Sequence, residues 1–159
     1  MTGRTRRDTD EFVDAVLTAS RVLVAVSARS LAEVADSTTV VQFRTLVVLR
    51  MRPDTNLHGL AEALAVNSST ALRMVDRLVV AGLVARRSSP ESRREVRLAL
   101  TDTGAALVDE VTARRRAEIT RIVRTMPAHQ RAELAPALRA FAQAADEPPV
   151  AGGVTAFGW

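Results

Sequence analysis

Residues 56–104 change their hydrophobic period twice, passing from two short helical stripes to a pair of alternating segments joined by an arginine-rich loop. Few folds accept that order. The segments read as a helix-turn-helix followed by a two-stranded wing. Asn56 is placed to cap the first helix, whose apolar stripe is Leu57, Leu60, Ala61 and Leu64. Ala65-Val66-Asn67 then makes a compact turn. A second helix is predicted over 68–81, closed by Gly82 where a left-handed residue is favoured. At 100° per residue Ala71, Val75 and Leu78 cluster on one side, flanked by Met74 and Val79, while Ser69, Thr70, Arg73 and Arg77 gather on the other. Residues 83–87 and 95–100 alternate as strands, with Val96, Leu98 and Leu100 on one face, and 88–94 form the connecting tip.

The same unit carries the charge. Residues 68–100 hold seven arginines against Asp76, Glu91 and Glu95, a net of +4, which equals the net charge of the whole chain. A basic patch confined to one supersecondary unit is the footprint of a nucleic-acid reader. Within it, Ser68, Ser69, Thr70 and Arg73 give short polar groups at a helix start and a longer donor one turn on, as a major groove requires. Asn67 or Ser68 can cap that helix and meet a phosphate. Arg93 and Arg94 near the hairpin tip have the reach for a narrow minor groove. All 22 cations are arginine, which suits bidentate phosphate and guanine contacts, although a GC-rich bacterial genome would give the same bias.

Apolar stripes continue on both flanks. Phe12, Val13, Val16, Leu17, Leu23, Val24 and Leu31 predict a long amphipathic helix, and Thr39-Val40-Val41-Gln42 is a capping box opening another that presents Phe43, Leu46, Val47 and Val48 before Pro53. A long helix is expected from Thr101 to Pro127, with Leu107, Val108, Val111, Ile119, Ile122, Val123 and Met126 as its stripe. A last one carries Leu134, Leu138, Phe141 and Ala142, and Pro136 inside it is expected to remove a backbone bond and bend it. Residues 146–159 lack periodicity and are expected to form a flexible tail ending in Trp159. With 159 residues one domain is expected, burying roughly 70% of its unfolded surface.

Residues 60–104 closely resemble the signature of the MarR family of winged helix-turn-helix transcription regulators, through Val75-Asp76-Arg77-Leu78, Gly82-Leu83-Val84 and Leu100-Thr101 leading to Gly104. Gln42-Phe43 resembles the family's usual start of its second helix, and the likeness extends over 12–145. It implies a mainly α (α+β) winged helix-turn-helix over 1–145, with a DNA-binding lobe at about 39–101 and dimerisation helices at about 10–34 and 102–145. It further implies a cytoplasmic homodimer on double-stranded DNA, a repressor of a pseudo-palindromic operator, released by a small anionic or phenolic effector. DNA contacts are then expected from Asn67, Ser68, Ser69, Thr70, Arg73, Arg77, Arg93 and Arg94, with Arg77 also steadying the wing through an acid. Ser89 and Ser92 stand where the family commonly has aspartate, so Arg77 is expected to turn to Glu91, Asp76 or phosphate. Arg44, Arg50 and Arg52 are candidates for meeting an anion, and no effector pocket is legible.

Other classes fare less well. The chain has no cysteine and no G-x-S-x-G, phosphate-binding loop or dinucleotide fingerprint, so neither catalysis nor a cofactor is expected. His58 and Glu62 lie one helical turn apart, but zinc normally takes three or four ligands, and no metal is expected. No uninterrupted apolar run approaches the ~20 residues of a membrane span. Arg4, Arg6 and Arg7 before an apolar stretch superficially resemble a secretion signal, which Asp14 and Arg21 break. The rival from another class is a helical adaptor that keeps the winged shape without reading DNA.

Overall fold

The computed structural model describes residues 2–35, 38–88 and 96–147, with side chains from Arg7 onward. Its elements in order are α1 (Thr2–Ala32), α2 (Val40–Met51), α3 (Leu57–Ala63), α4 (Ser68–Val80), β1 (Val84–Ser88), β2 (Val96–Leu100), α5 (Asp102–Arg124) and α6 (Ala128–Ala144). The chain divides into two compact units, Met1–Arg116 and Ala117–Trp159, with the division falling inside α5.

Local chemistry sets the helix starts of the first unit. Thr39 and Gln42 close a reciprocal capping box: the Gln42 amide donates to Thr39 Oγ1 at 3.2 Å, and the Thr39 amide donates to Gln42 Oε1 at 2.8 Å. Asn56 accepts the Gly59 amide at 2.9 Å and opens α3. Between α3 and α4 the turn is tight enough to force Ala65 to φ 53°, a left-handed conformation that costs a non-glycine residue roughly 1–2 kcal/mol. Gly82, at φ 70°, takes the same conformation after α4 without that cost.

Leu31, Phe43, Leu46, Val48, Leu49, Leu60, Val75, Leu78, Leu83, Val84, Leu98, Val108 and Val111 form one buried cluster. It joins α1's last turn, α2, α3, α4, the hairpin and the first half of α5, so the helix-turn-helix and the wing share a core. β1 and β2 pair antiparallel from Val84 opposite Leu100 to Ser88 opposite Val96. Leu98 also donates its amide to the Thr55 carbonyl at 2.8 Å, so the segment before α3 adds a short third edge that periodicity did not reveal. The expected inner face of the second strand holds for Leu98, which is buried, but Val96 is exposed. Val96 pairs with Ser88 at the end of the hairpin away from the core, and Ala99, on the opposite face of the strand, is buried as well.

A close approach fixes the hairpin's far end. Thr101 donates from its amide to the Leu83 carbonyl at 3.1 Å and from its hydroxyl to the Gly82 carbonyl at 2.7 Å, while accepting the Gly104 amide at 3.0 Å. A Cβ added to Gly104 would lie 2.1 Å from the Leu83 carbonyl oxygen, so only glycine lets α5 start here. Ion pairs then bind α5 to α2 and to the residue after α1: Arg50 of α2 reaches both oxygens of Asp109 at 3.2 Å, and Arg114 reaches Glu33 at 2.7 Å, besides Glu110 one turn away on α5 at 3.2 Å. Those hydrogen bonds, Glu110 first and Glu33 second, raise the Arg114 pKa above its ordinary value.

The terminal helices differ from this core. Among the described side chains of α1 only Val26, Ser30 and Leu31 are buried, while Phe12, Val13, Leu17, Leu23 and Val24 are exposed. Arg7–Ala32 is long and apolar enough to cross a membrane by length and composition, contrary to the expectation from uninterrupted runs. Asp14 and Arg21 interrupt the stretch without lowering its overall hydropathy enough to exclude a span. In the second unit α6 runs continuously through Pro136 and buries none of its residues. Residues 148–159, most of the expected tail, lie outside the described residues.

Candidate nucleic-acid interface

The two faces of α4 separate as its sequence predicts. Ala71, Val75 and Leu78 are buried, and Ser68, Ser69, Arg73 and Arg77 are exposed, with Thr70 partly so. Asn67 is the N-cap: its Oδ1 accepts the Thr70 amide and the Ser69 hydroxyl, both at 2.8 Å. That second bond uses the Ser69 proton, leaving its oxygen as an acceptor for an amino group on a base edge. Arg73 donates weakly to Thr70 Oγ1 at 3.4 Å, so its guanidinium retains most of its donors. The structure therefore brings Asn67, Ser68, Ser69, Thr70, Arg73 and Arg77 together on one helix end and face. Arg93 and Arg94 lie outside the described residues, as does Glu91.

Helix and wing are tied by a pair that sequence reasoning missed. Asp76 of α4 is bonded to Arg86 of β1. Arg77 was expected to do this work with Asp76 as one of its partners, but Asp76 is taken, and Arg77 makes no ion pair among the described residues. Strand parity held the signal: Arg86 shares a face with Val84 and lies opposite Leu98, both buried, so its stem passes the core on its way to α4. Polarity is thereby reversed, with the acid on the recognition helix and the cation on the wing.

The other candidate groups are placed as follows. Arg50 is engaged by Asp109, which removes it from the groups available to an anion. His58 and Glu62 are exposed and 3.4 Å apart, and no cluster of three metal-ligating side chains occurs among the described residues. A further cation emerges in α5. Arg115 is four residues after the buried Val111 on the helix's inward stripe, its Nε is buried without a hydrogen-bond partner, and burial lowers its pKa.

A capped helix with an exposed polar face, preceded by a short helix and followed by a hairpin packed on the same core, defines a winged-helix DNA-binding protein. The MarR family model matches residues 38–96, from two residues before α2 to the first residue of β2. The chain is 31% identical over 105 residues to the HTH-type transcriptional repressor MdtR of Bacillus subtilis (strain 168), covering 66% of this chain and 68% of that protein. It resembles the crystal structure of RV1404 from Mycobacterium tuberculosis with a TM-score of 0.84 and 49% identity, over 89% of this chain and 97% of that one. Wild-type apo MarR from E. coli superposes with a TM-score of 0.62 and 25% identity, over 78% of this chain and 94% of that one. The chain belongs to the MarR family and is a DNA-binding transcription regulator.

Proposed function

We propose that this chain acts in the cytoplasm as a homodimeric repressor, each copy setting α4 into one major groove of a pseudo-palindromic operator. The observation that carries the assignment is the Asn67-capped face of α4, where Ser69, Thr70, Arg73 and Arg77 converge while the opposite face is buried. Ser68 and Asn67 sit at the helix start, where amides favour phosphate, and Arg93 and Arg94 are assigned to the minor groove from their place at the wing tip. Dimerisation is assigned to α1 and α6, whose exposed Phe12, Leu17, Leu138 and Phe141 are large apolar groups that water disfavours. By this division 39–101 is the DNA-binding lobe of a single functional domain.

Binding to the DNA upstream of the protein's own gene, against a scrambled duplex of equal length, tests this from roughly 50 to 200 mM salt, where 6 to 10 phosphate contacts cost about 10³ to 10⁵ in affinity. Arg73→Ala is expected to cost about 1–3 kcal/mol on the native duplex and less on the scrambled one. An equal loss on both would make Arg73 a phosphate ligand, and no loss would remove α4 from the groove. Failure of the wild type on both duplexes would favour the adaptor.

Release by a small anionic or phenolic compound is supported by Arg115, whose buried Nε is unsatisfied and whose charge is held at a desolvation cost. Arg115→Met keeps the length of the stem and removes that charge. It is expected to leave thermal stability intact and to abolish release of DNA by salicylate-like anions, and retained release would dismiss Arg115 as the anchor.

A further inference from the structure

The buried face of α4 is complete with Ala71, Val75 and Leu78, yet Leu72 beside it stays 42% exposed. By helical geometry Leu72 lies about 40° around the axis from Ser68 and from Asp76, and about 60° from Ser69. It therefore stands at the wing-side edge of the polar face, on the boundary between core and groove. Helical side chains tilt toward the N-terminus, so Leu72 covers the turn before it, which carries Ser68 and Ser69. Polar groups next to it are engaged within the protein. The Ser69 hydroxyl donates to Asn67, and the Asp76 carboxylate is bonded to Arg86 of β1. What lies between them is the leucine's own apolar surface. Val80 is more exposed, at 89%, but stands roughly 18 Å along the axis from Ser68, against roughly 6 Å for Leu72.

We propose that Leu72 is a specificity-determining residue that reads thymine, by packing its methyl groups on the C5-methyl of one base in the major groove, an assignment that rests on the groove reading of α4 above. Of the four bases only thymine presents a methyl group on that edge, so an apolar side chain there selects it without a hydrogen bond. The contact complements the polar readers. Ser69 and Arg73 address donors and acceptors, and Leu72 addresses the one feature of the edge that offers neither. Phosphate is excluded as its ligand, because an aliphatic side chain has no donor to give in exchange for the water it would displace. In the free protein this surface lies in water, and covering it gains about fourfold in affinity for each methyl-sized group buried.

The native duplex from upstream of the protein's own gene and the scrambled duplex are each made with thymine and again with uracil, which pairs alike and lacks the methyl group. The full chain is titrated on all four as wild type, as Leu72→Ala and as Leu72→Met. Wild type is expected to bind the native uracil duplex about fourfold more weakly than the thymine one for each methyl contacted, or about fifteenfold across two half-sites. The scrambled pair is expected to show no such difference, since its thymines are out of register. Leu72→Ala is expected to bind the native thymine duplex as weakly as wild type binds the uracil one, and to lose nothing further on uracil. Leu72→Met stays apolar and is expected to keep the thymine preference. Equal wild-type affinity for the two native duplexes, with both above the scrambled ones, would overturn the role of Leu72 and leave the DNA-binding reading standing, and that comparison needs no variant to fold. An equal penalty for uracil on native and scrambled DNA would overturn it too, as an effect on the duplex itself. So would a full thymine preference in a Leu72→Ala protein that melts with the wild type. Failure of the wild type on every duplex would overturn the DNA-binding reading and the thymine contact with it.

Discussion

Every helix from α2 to α4 buries its apolar stripe, whereas α6 buries no residue at all. Both kinds of helix are amphipathic in sequence, with Leu60, Ala61, Val75 and Leu78 in the one region and Leu134, Leu138 and Phe141 in the other. The difference lies in where the covering surface comes from. In the lobe it is supplied within the chain, by α2, the hairpin and the start of α5. For α6, a second copy supplies it under the proposed assembly. An amphipathic stripe thus states that a face is to be covered and leaves open by which molecule.

That contrast breaks most sharply on truncation. Ending the chain after Thr125 removes α6 and is expected to abolish the dimer and, with it, operator affinity, read by analytical ultracentrifugation and a binding isotherm. A stable truncated dimer would sink the assignment of α6. Leu138→Asp makes the same test with the helix present: it is expected to shift the dimer dissociation midpoint to higher protein concentration while the monomer keeps its helical content. In the lobe the opposite behaviour is expected. Leu60 is fully buried, so Leu60→Ala should lower unfolding free energy by about 2–5 kcal/mol, a loss that persists at any protein concentration. If the Leu138 variant were instead destabilised independently of concentration, α6 would be an intramolecular core helix and the comparison would fail.

Legibility in the sequence follows the range of the interactions. Thr39, Asn56 and Asn67 act within three residues of themselves, and all three caps stand where side-chain chemistry put them. Gly82 is similar, its left-handed φ being a property of one residue. Asp76 with Arg86 required knowing that β1 packs beside α4, and the motif drew attention instead to the neighbouring Arg77. Seeing that Arg86 reaches α4 also required the hairpin register, which sets it opposite the buried Leu98. The candidate site was therefore legible on its helix, where spacing alone decides the face, and obscure on its wing, where pairing decides it.

The smallest expected effect sharpens that division within the interface itself. Asn67 accepts both the Thr70 amide and the Ser69 hydroxyl, so it caps α4 and aims a side chain assigned to the groove. Asn67→Ala should cost about 0.5–2 kcal/mol of folding stability through the lost cap. Asn67→Asp keeps an acceptor for both donors and favours the helix's positive end, so stability should be retained. The two variants then separate fold from function. An aspartate carboxylate repels phosphate, so Asn67→Asp should weaken DNA binding while melting like the wild type, if the α4 start lies at the backbone as assigned. Undiminished binding by a stable Asn67→Asp protein would move the phosphate contact away from this helix end and leave Asn67 a cap alone.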